Sequence, residues 1–307
     1  MESTINITPA SFERVPKDLV AAQSILRPSL TYWKDAWRRL KKNKISMFCM
    51  AFLIFMGTLA ILGPMVFPNY SSNNLEKTYS KPDSVNWFGT DDLGRDQFAR
   101  TLRGARISLF IGLTSAMITV LIGILYGGIS GYFSGWIDDI MMRVVDVLIT
   151  IPDMIILILL LVVLKPGVGT LILAMSITSW TGMARLIRGQ VLQIKESDFV
   201  LVSKIIGSSS MRIIIKHLIP NTIGIIIVRL MMLIPAFIFE EAFLSYIGLG
   251  VRVPEASWGN LAEAGALQFP NNLYMFFIPA AFIGTTMLAF NLFGDGLRDA
   301  LDPKMRK

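Results

Sequence analysis

Long stretches without a single charge alternate along this chain with short stretches dense in charge. Residues 45–75, 107–137 and 264–294 contain no Asp, Glu, Lys or Arg. Each window exceeds the roughly 20 mostly apolar residues that an α-helix needs to cross a bilayer. In the first, 18 of the 23 residues of 45–67 are apolar, and Pro64 and Pro68 mark its end. The second supports a span over 107–130 whose Gly and Ser content points to close packing on another helix. Between Asp153 and Lys165 only 11 residues are uncharged. That is too short alone, so the third span is taken back to 140, with Arg143 and Asp146 three apart on one helix face and able to pair. Pro166-Gly167 ends it. Further spans follow at 170–186, at 217–240 (interrupted by Arg229 and Pro235) and at 273–294. The pattern predicts an all-α polytopic membrane protein with six transmembrane helices.

Composition agrees. Of 307 residues, 53% are hydrophobic and 17% charged, against about 25% charged in soluble domains. One cysteine, Cys49, excludes an intramolecular disulfide, and one histidine, His217, argues against a histidine metal site or a Ser-His-Asp triad. Neither catalytic nor metal-ligating residues are expected. The net charge of +7 reads as membrane topology rather than nucleic-acid binding, since no basic patch alternates with stacking aromatics outside the apolar runs. Six spans leave both termini on one side. That side collects 20 of the 29 Lys and Arg, the other eight, and Arg229 lies within a span. Excess positive charge marks the cytoplasmic side, so both termini are expected there. Residues 1–44 form a polar cytoplasmic segment with no cleavable signal. Trp33 and Trp37, four apart among basic residues, predict an amphipathic helix on the inner surface, in contact with lipid. Residues 68–103 form an outer loop, 104–299 the core with five spans, and 300–307 a cytoplasmic tail.

The sizeable cytoplasmic loop between spans, 187–216, reads as two short helices. Ser197 and Asp198 can cap the first, near Phe199, and Gly207 can stop it. Ser208, Ser209 and Ser210 can cap a second, which Pro220 breaks. Such a knob is either a structural re-entry loop or a docking element for a cytoplasmic partner. Arg229 lies deep in a span, where an Arg normally faces protein or water. It either lines a path and attracts a peptide carboxylate, or bonds backbone carbonyls or an acid of a partner subunit. Glu240 and Glu241 close the same span at the outer face, where they can meet an amino group or a receptor. No G-x-x-x-x-G-K-[ST] phosphate loop is present, so an ATPase, if one drives transport, sits on another chain.

Gly207, nine residues, then His217-Leu218-Ile219-Pro220 resembles the G-x9-I-x-L-P signature of ABC-importer permeases. The stretches WFGTDDLGRD at 87–96, WTGMARLIRGQ at 180–190, EAFLSYIGLG at 241–250 and FNLFGDGLRDALDP at 290–303 are similar to the peptide and nickel branch, on the side of the C-type oligopeptide permease. The resemblance covers residue 31 onward. Leu201-Val202-Ser203 replaces the family's Glu-Ala-Ala, and His217 and Ile219 replace the signature's Ile and Leu. The resemblance implies the type I importer permease fold and half of a heterodimeric pore for oligopeptides, in a bacterial cytoplasmic membrane. It also implies a second homologous permease, two ATPases that hold ATP and Mg, and an extracellular receptor that delivers the peptide substrate. Coupling to the ATPases would fall on Phe199, Val202, Ser203, Lys204, Gly207, Ser208, Ser209 and Ser210. The rival readings are a nickel or other small-solute importer permease, a stand-alone secondary transporter or channel, and a membrane scaffold without transport.

Overall fold

A computed structural model describes residues 31–302. The first thirty residues of the N-terminal segment and the last five of the tail lie outside that range. The described chain is helical, with a single isolated bridge between Thr90 and Asp96. Helix α1, Tyr32–Lys42, is the amphipathic segment. Asp35 pairs with Arg38 and Arg39, both at 2.8 Å, while Trp33 and Trp37 remain exposed. The Tyr32 hydroxyl donates to the Leu301 carbonyl at 3.0 Å and ties the start of the described residues to their end. Asn43 breaks the helix, accepts from the Ser46 N–H, and so caps α2, Lys44–Val66.

Helix α3 spans Gln97–Phe133. It begins ten residues before the span expected from the charge pattern and inside the expected outer loop. Asp96 accepts from the N–H groups of Phe98 and Ala99, satisfying two of the orphan donors that every helix start leaves. At 37 residues the helix is about 55 Å long, so its first turns, with Arg100, Arg103 and Arg106, stand beyond an apolar layer of ~30 Å. The expected third span is instead a bent pair, α4, Gly135–Thr150, and α5, Asp153–Leu164, which meet at 80°. Pro152 sits at the bend, and the residue before a proline is pushed out of the helical region; Ile151 is extended, with φ −88° and ψ 125°. The pairing expected of Arg143 with Asp146 is not what forms. Asp146 takes Arg185 at 2.5 Å.

Helix α6, Val168–Ile194, runs eight residues past the expected end, so the inner loop starts later than 187. Next come α7, Asp198–Ile205, and α8, Ser210–Ile213. Pro220 does not interrupt the chain here. Residues Ile214–Leu218 form a π turn in which the Ile219 N–H reaches the Ile214 carbonyl five residues back. That wider turn accommodates a proline that cannot donate to residue 216, and α8 continues through it into α9, Ile219–Tyr246. On the outer side α10, Trp258–Leu267, starts with a reciprocal cap between Ser257 and Asn260. Helix α11, Leu273–Leu301, closes the fold. Among the described residues five helical segments are long and apolar enough to cross a membrane, and the bent pair makes a sixth.

The main core lies between α3, α5, α6 and α9, where Ile111, Leu157, Leu171, Met175, Ile187 and Phe237 are almost fully buried. A smaller cluster of Met56, Ala60, Ala105 and Trp258 fixes α2 and α10 against the outer half of α3. The approach of α3 to α6 is made by glycine. A Cβ at Gly123 would lie 2.5 Å from Met183 Cβ, one at Gly127 2.2 Å from the Ala184 carbonyl oxygen, and one at Gly131 2.9 Å from the Arg188 carbonyl oxygen.

Candidate coupling knob and translocation cavity

The inner loop folds into a knob at the foot of two spans. Helix α7 ends as the Ser208 N–H reaches the Ser203 carbonyl at 3.1 Å and the Gly207 N–H the Lys204 carbonyl at 3.0 Å. This closure needs a residue with positive φ, and Gly207 has φ +84° with open space where a side chain would be. The serines sit at helix starts without capping by their hydroxyls. Ser197 donates to the Ile194 carbonyl instead, and Ser209 makes no side-chain cap.

Two buried residues anchor the knob to the core, Val200 and Ile213, each 0% exposed. Around the turn the surface is apolar. Phe199, Leu201, Val202 and Met211 are exposed, and Ile205 and Ile206 are 84% and 76% exposed. Of the residues expected to couple, Phe199, Val202 and Gly207 lie on this surface. Ser203 donates to the Phe199 carbonyl of its own helix. Lys204 turns back over the Tyr132 ring at 5.5 Å and so braces α7 against α3. Ser208 and Ser210 are half-buried and Ser209 is exposed. The family signature did not single out Ile205 and Ile206. Their signal was an apolar pair at the end of a helix in a polar loop, where nothing in the chain itself calls for it.

Above the knob, ion pairs fasten α4 to α6. Arg188 donates from Nε and Nη2 to both oxygens of Asp138, at 2.6 and 2.5 Å. Ser130 of α3 donates to the same carboxylate. A two-pronged pair of this kind fixes orientation as well as separation. Asp138 thus joins α3, α4 and α6 above the knob.

Arg229 lies midway along α9 and lines a cavity of about 620 Å³ with Tyr32, Gln190, Asn221, Met232 and Arg298. It is half-buried and makes no ion pair or hydrogen bond among the described residues. Its side chain does not bond backbone carbonyls among the described residues. The two glutamates separate. Glu240 is half-buried, with Asp153 at the head of α5 as a charged neighbour. Glu241 is fully buried. It accepts from Ser108 at 2.8 Å and from Ser245 at 2.7 Å, and Ser108 in turn accepts from the Trp258 N–H at 3.1 Å. Glu241 thus holds α3, α9 and α10 together and is not a translocation residue, because a buried carboxylate with its bonds made has nothing left to offer a solute.

With this geometry in place, comparison with known proteins is direct. Residues 120–307 match the family described as binding-protein-dependent transport system inner membrane component. Residues 31–82 match the N-terminal TM domain of oligopeptide transport permease C. The chain is 51% identical over 288 residues to the dipeptide transport system permease protein DppC of Bacillus subtilis, covering 93% of this chain and 90% of that one. It is 46% identical over 303 residues to the oligopeptide transport system permease protein OppC of the same organism, covering 98% and 99%. The OppC of Haemophilus influenzae is 38% identical over 305 residues, covering 98% and 97%. A bent third span, a knob closed by Gly207 and a charged cavity in the bundle therefore sit on a transport component rather than an enzyme, and the chain belongs to the family of inner-membrane components of binding-protein-dependent transport systems, in its peptide-permease group.

Proposed function

We propose that this chain is one of two permease halves of an ATP-driven peptide importer in a bacterial cytoplasmic membrane, with the knob around Gly207 and both termini on the cytoplasmic side. A second, homologous permease completes the pore. Two ATPase subunits, which hold ATP and Mg, dock on the knob, and a receptor outside delivers peptides. The observation that carries this reading is the knob's surface, Ile205 and Ile206 at 84% and 76% exposure beside exposed Val202 and Phe199. On a loop placed in the cytoplasm, an exposed apolar patch marks an interaction site. It is mounted on buried Val200 and Ile213, so a push from a docked partner moves spans rather than a loose loop.

The test is composition. The C-terminally tagged chain, extracted from its native membrane in mild detergent, is expected to co-purify with a second permease and two ATPases, identified by mass spectrometry. A chain that comes out alone and still moves solute in liposomes would refute the importer reading.

Within it, Arg229 attracts the peptide's carboxylate as the peptide passes the cavity. Arg229→Gln is expected to lower uptake of free peptides about tenfold, the loss of one charge-assisted pair. Uptake of the same peptides with an amidated C-terminus should change little, as measured in proteoliposomes with the assembled complex. Equal losses for both peptides would remove Arg229 from recognition.

A further inference from the structure

A second cavity, of about 280 Å³, lies on the opposite side of the fold between the 91–100 segment and α10. Arg100 lines it from the first turn of α3. Its side chain is 5% exposed, and its Nε and Nη1 have no hydrogen-bond partner among the described residues. The nearest carboxylate, Asp91, is already engaged. Its Oδ1 accepts from the N–H groups of Leu93 and Arg95, and its Oδ2 accepts from Arg95 Nε at 2.7 Å, while Arg100 Nε stays 3.4 Å away. A buried guanidinium left without full partners costs more than an ordinary missing hydrogen bond, because the group is charged.

The cavity beside it is reachable from outside. Val253 and Leu267 at its rim are 70% and 77% exposed. Its volume exceeds the ~30 Å³ share of one water many times over, yet it holds no more than a residue or two. Its other charged groups are Asp92, which reaches Arg95 at 3.4 Å and is mostly exposed, and Glu263 on α10. Asn260 and Gln268 add amide groups. The planar fork of a guanidinium is matched by a carboxylate.

We infer that this outer cavity is a binding site for a single carboxylate, held by the Arg100 guanidinium. Glu263 across the cavity makes a zwitterion a better occupant than a bare anion. The carboxylate comes either from the terminus of a short free peptide or from an acidic side chain of a protein docked on the outer face. The second source rests on the importer reading, the first does not.

The full-length chain, purified in detergent without receptor or nucleotide, is dialysed against radiolabelled dialanine. Saturable binding is expected, about tenfold weaker for dialaninamide and lost in Arg100→Gln. Leu267→Trp should also block it. That substitution is at an exposed position and fills the rim without touching Arg100, so it separates loss of the site from loss of the fold. If dialanine does not bind, the assembled complex is tested for receptor retention. Release at least about tenfold faster in both variants, with the ATPases still attached, identifies a docked side chain as the source. Absence of the ATPases from the wild-type complex is a failure of the importer reading and is seen separately. No binding from either source, or binding that both variants leave unchanged, overturns the site and leaves Arg100 solvated by trapped water alone.

Discussion

Gly127→Leu should yield almost no folded protein. Helices α3 and α6 meet along Gly123, Gly127 and Gly131, four residues apart on one face of α3. Even a bare Cβ at Gly127 would lie 2.2 Å from the Ala184 carbonyl oxygen and 3.0 Å from the Arg188 backbone nitrogen. Both atoms belong to the α6 backbone and cannot rotate away as a side chain tip would. Inside a bilayer no hydrophobic drive holds helices together, so association depends on close packing and hydrogen bonds. Separating these two helices also draws Ser176 from the Ser115 carbonyl of α3 and breaks the link through Asp138 of α4, which holds Ser130 of α3 and Arg188 of α6 together. Overpacking a core typically costs 1–3 kcal/mol, occasionally more, and backbone on backbone is the case that relaxes least. Gly57→Leu is the control, since nothing lies within 4 Å of its Cβ position on α2. Size-exclusion profiles of tagged protein in detergent, with thermal melting, decide the matter. The expected result is aggregation for Gly127→Leu and a wild-type profile for Gly57→Leu. A Gly127→Leu protein that elutes and melts like the wild type would mean the α3–α6 contact does not hold the bundle.

The charge pattern alone located the helices that cross the apolar layer, because removing charge over ~20 residues is what a bilayer demands. It failed where a local rule competed with a longer-range one. A third span taken straight through Pro152 has the length a bilayer demands, but a proline there dictates a bend. Pro220 in the sequence reads as a break, yet a π turn just before it carries the helix on, a choice the backbone makes only once Ile213, Ile214 and Leu218 have a core to enter. The start of α3 was placed too late because Arg100, Arg103 and Arg106 look like loop residues. The contacts that place two of them lie in other segments: Arg103 meets Glu255 at 2.8 Å, 152 residues away in the chain, and Arg100 stands 3.4 Å from Asp91. Glu241 is hidden from the sequence for the same reason. Its role depends on Ser108, 133 residues earlier, and no spacing rule links the two. Gly207 was legible because its demand is local, a positive φ between two short helices. The exposure of Ile205 and Ile206 was not, since hydrophobic residues in a chain this apolar read as buried until the fold shows that nothing covers them.

Ile205→Gln combined with Ile206→Gln should uncouple the transporter while leaving the chain intact. Both side chains are exposed, so removing them takes nothing from the core, and Gln keeps the helix propensity of α7. In a complex with ATPases the same two side chains become the apolar centre of the contact. Burying one Ile contributes about 1.5–3 kcal/mol, and a small central cluster carries most of an interface's energy. The double variant is therefore expected to weaken ATPase binding by about 100-fold or more and to bring peptide uptake to background. Its melting temperature should match the wild type. Val200→Gln gives the contrasting result, because Val200 is fully buried and its loss loosens the knob itself, lowering thermal stability along with uptake. Gly207→Val tests the turn between them. Its side chain meets nothing, so any damage comes from a β-branched residue forced to a φ near +84°, which costs roughly 1–3 kcal/mol, and it should partly release the ATPases without unfolding the bundle. Co-purification, uptake and melting measured on the same preparations separate the three cases. If the double Gln variant kept its ATPases and its uptake, the exposed isoleucines would not be the docking surface, and the force of ATP binding would have to enter the membrane elsewhere.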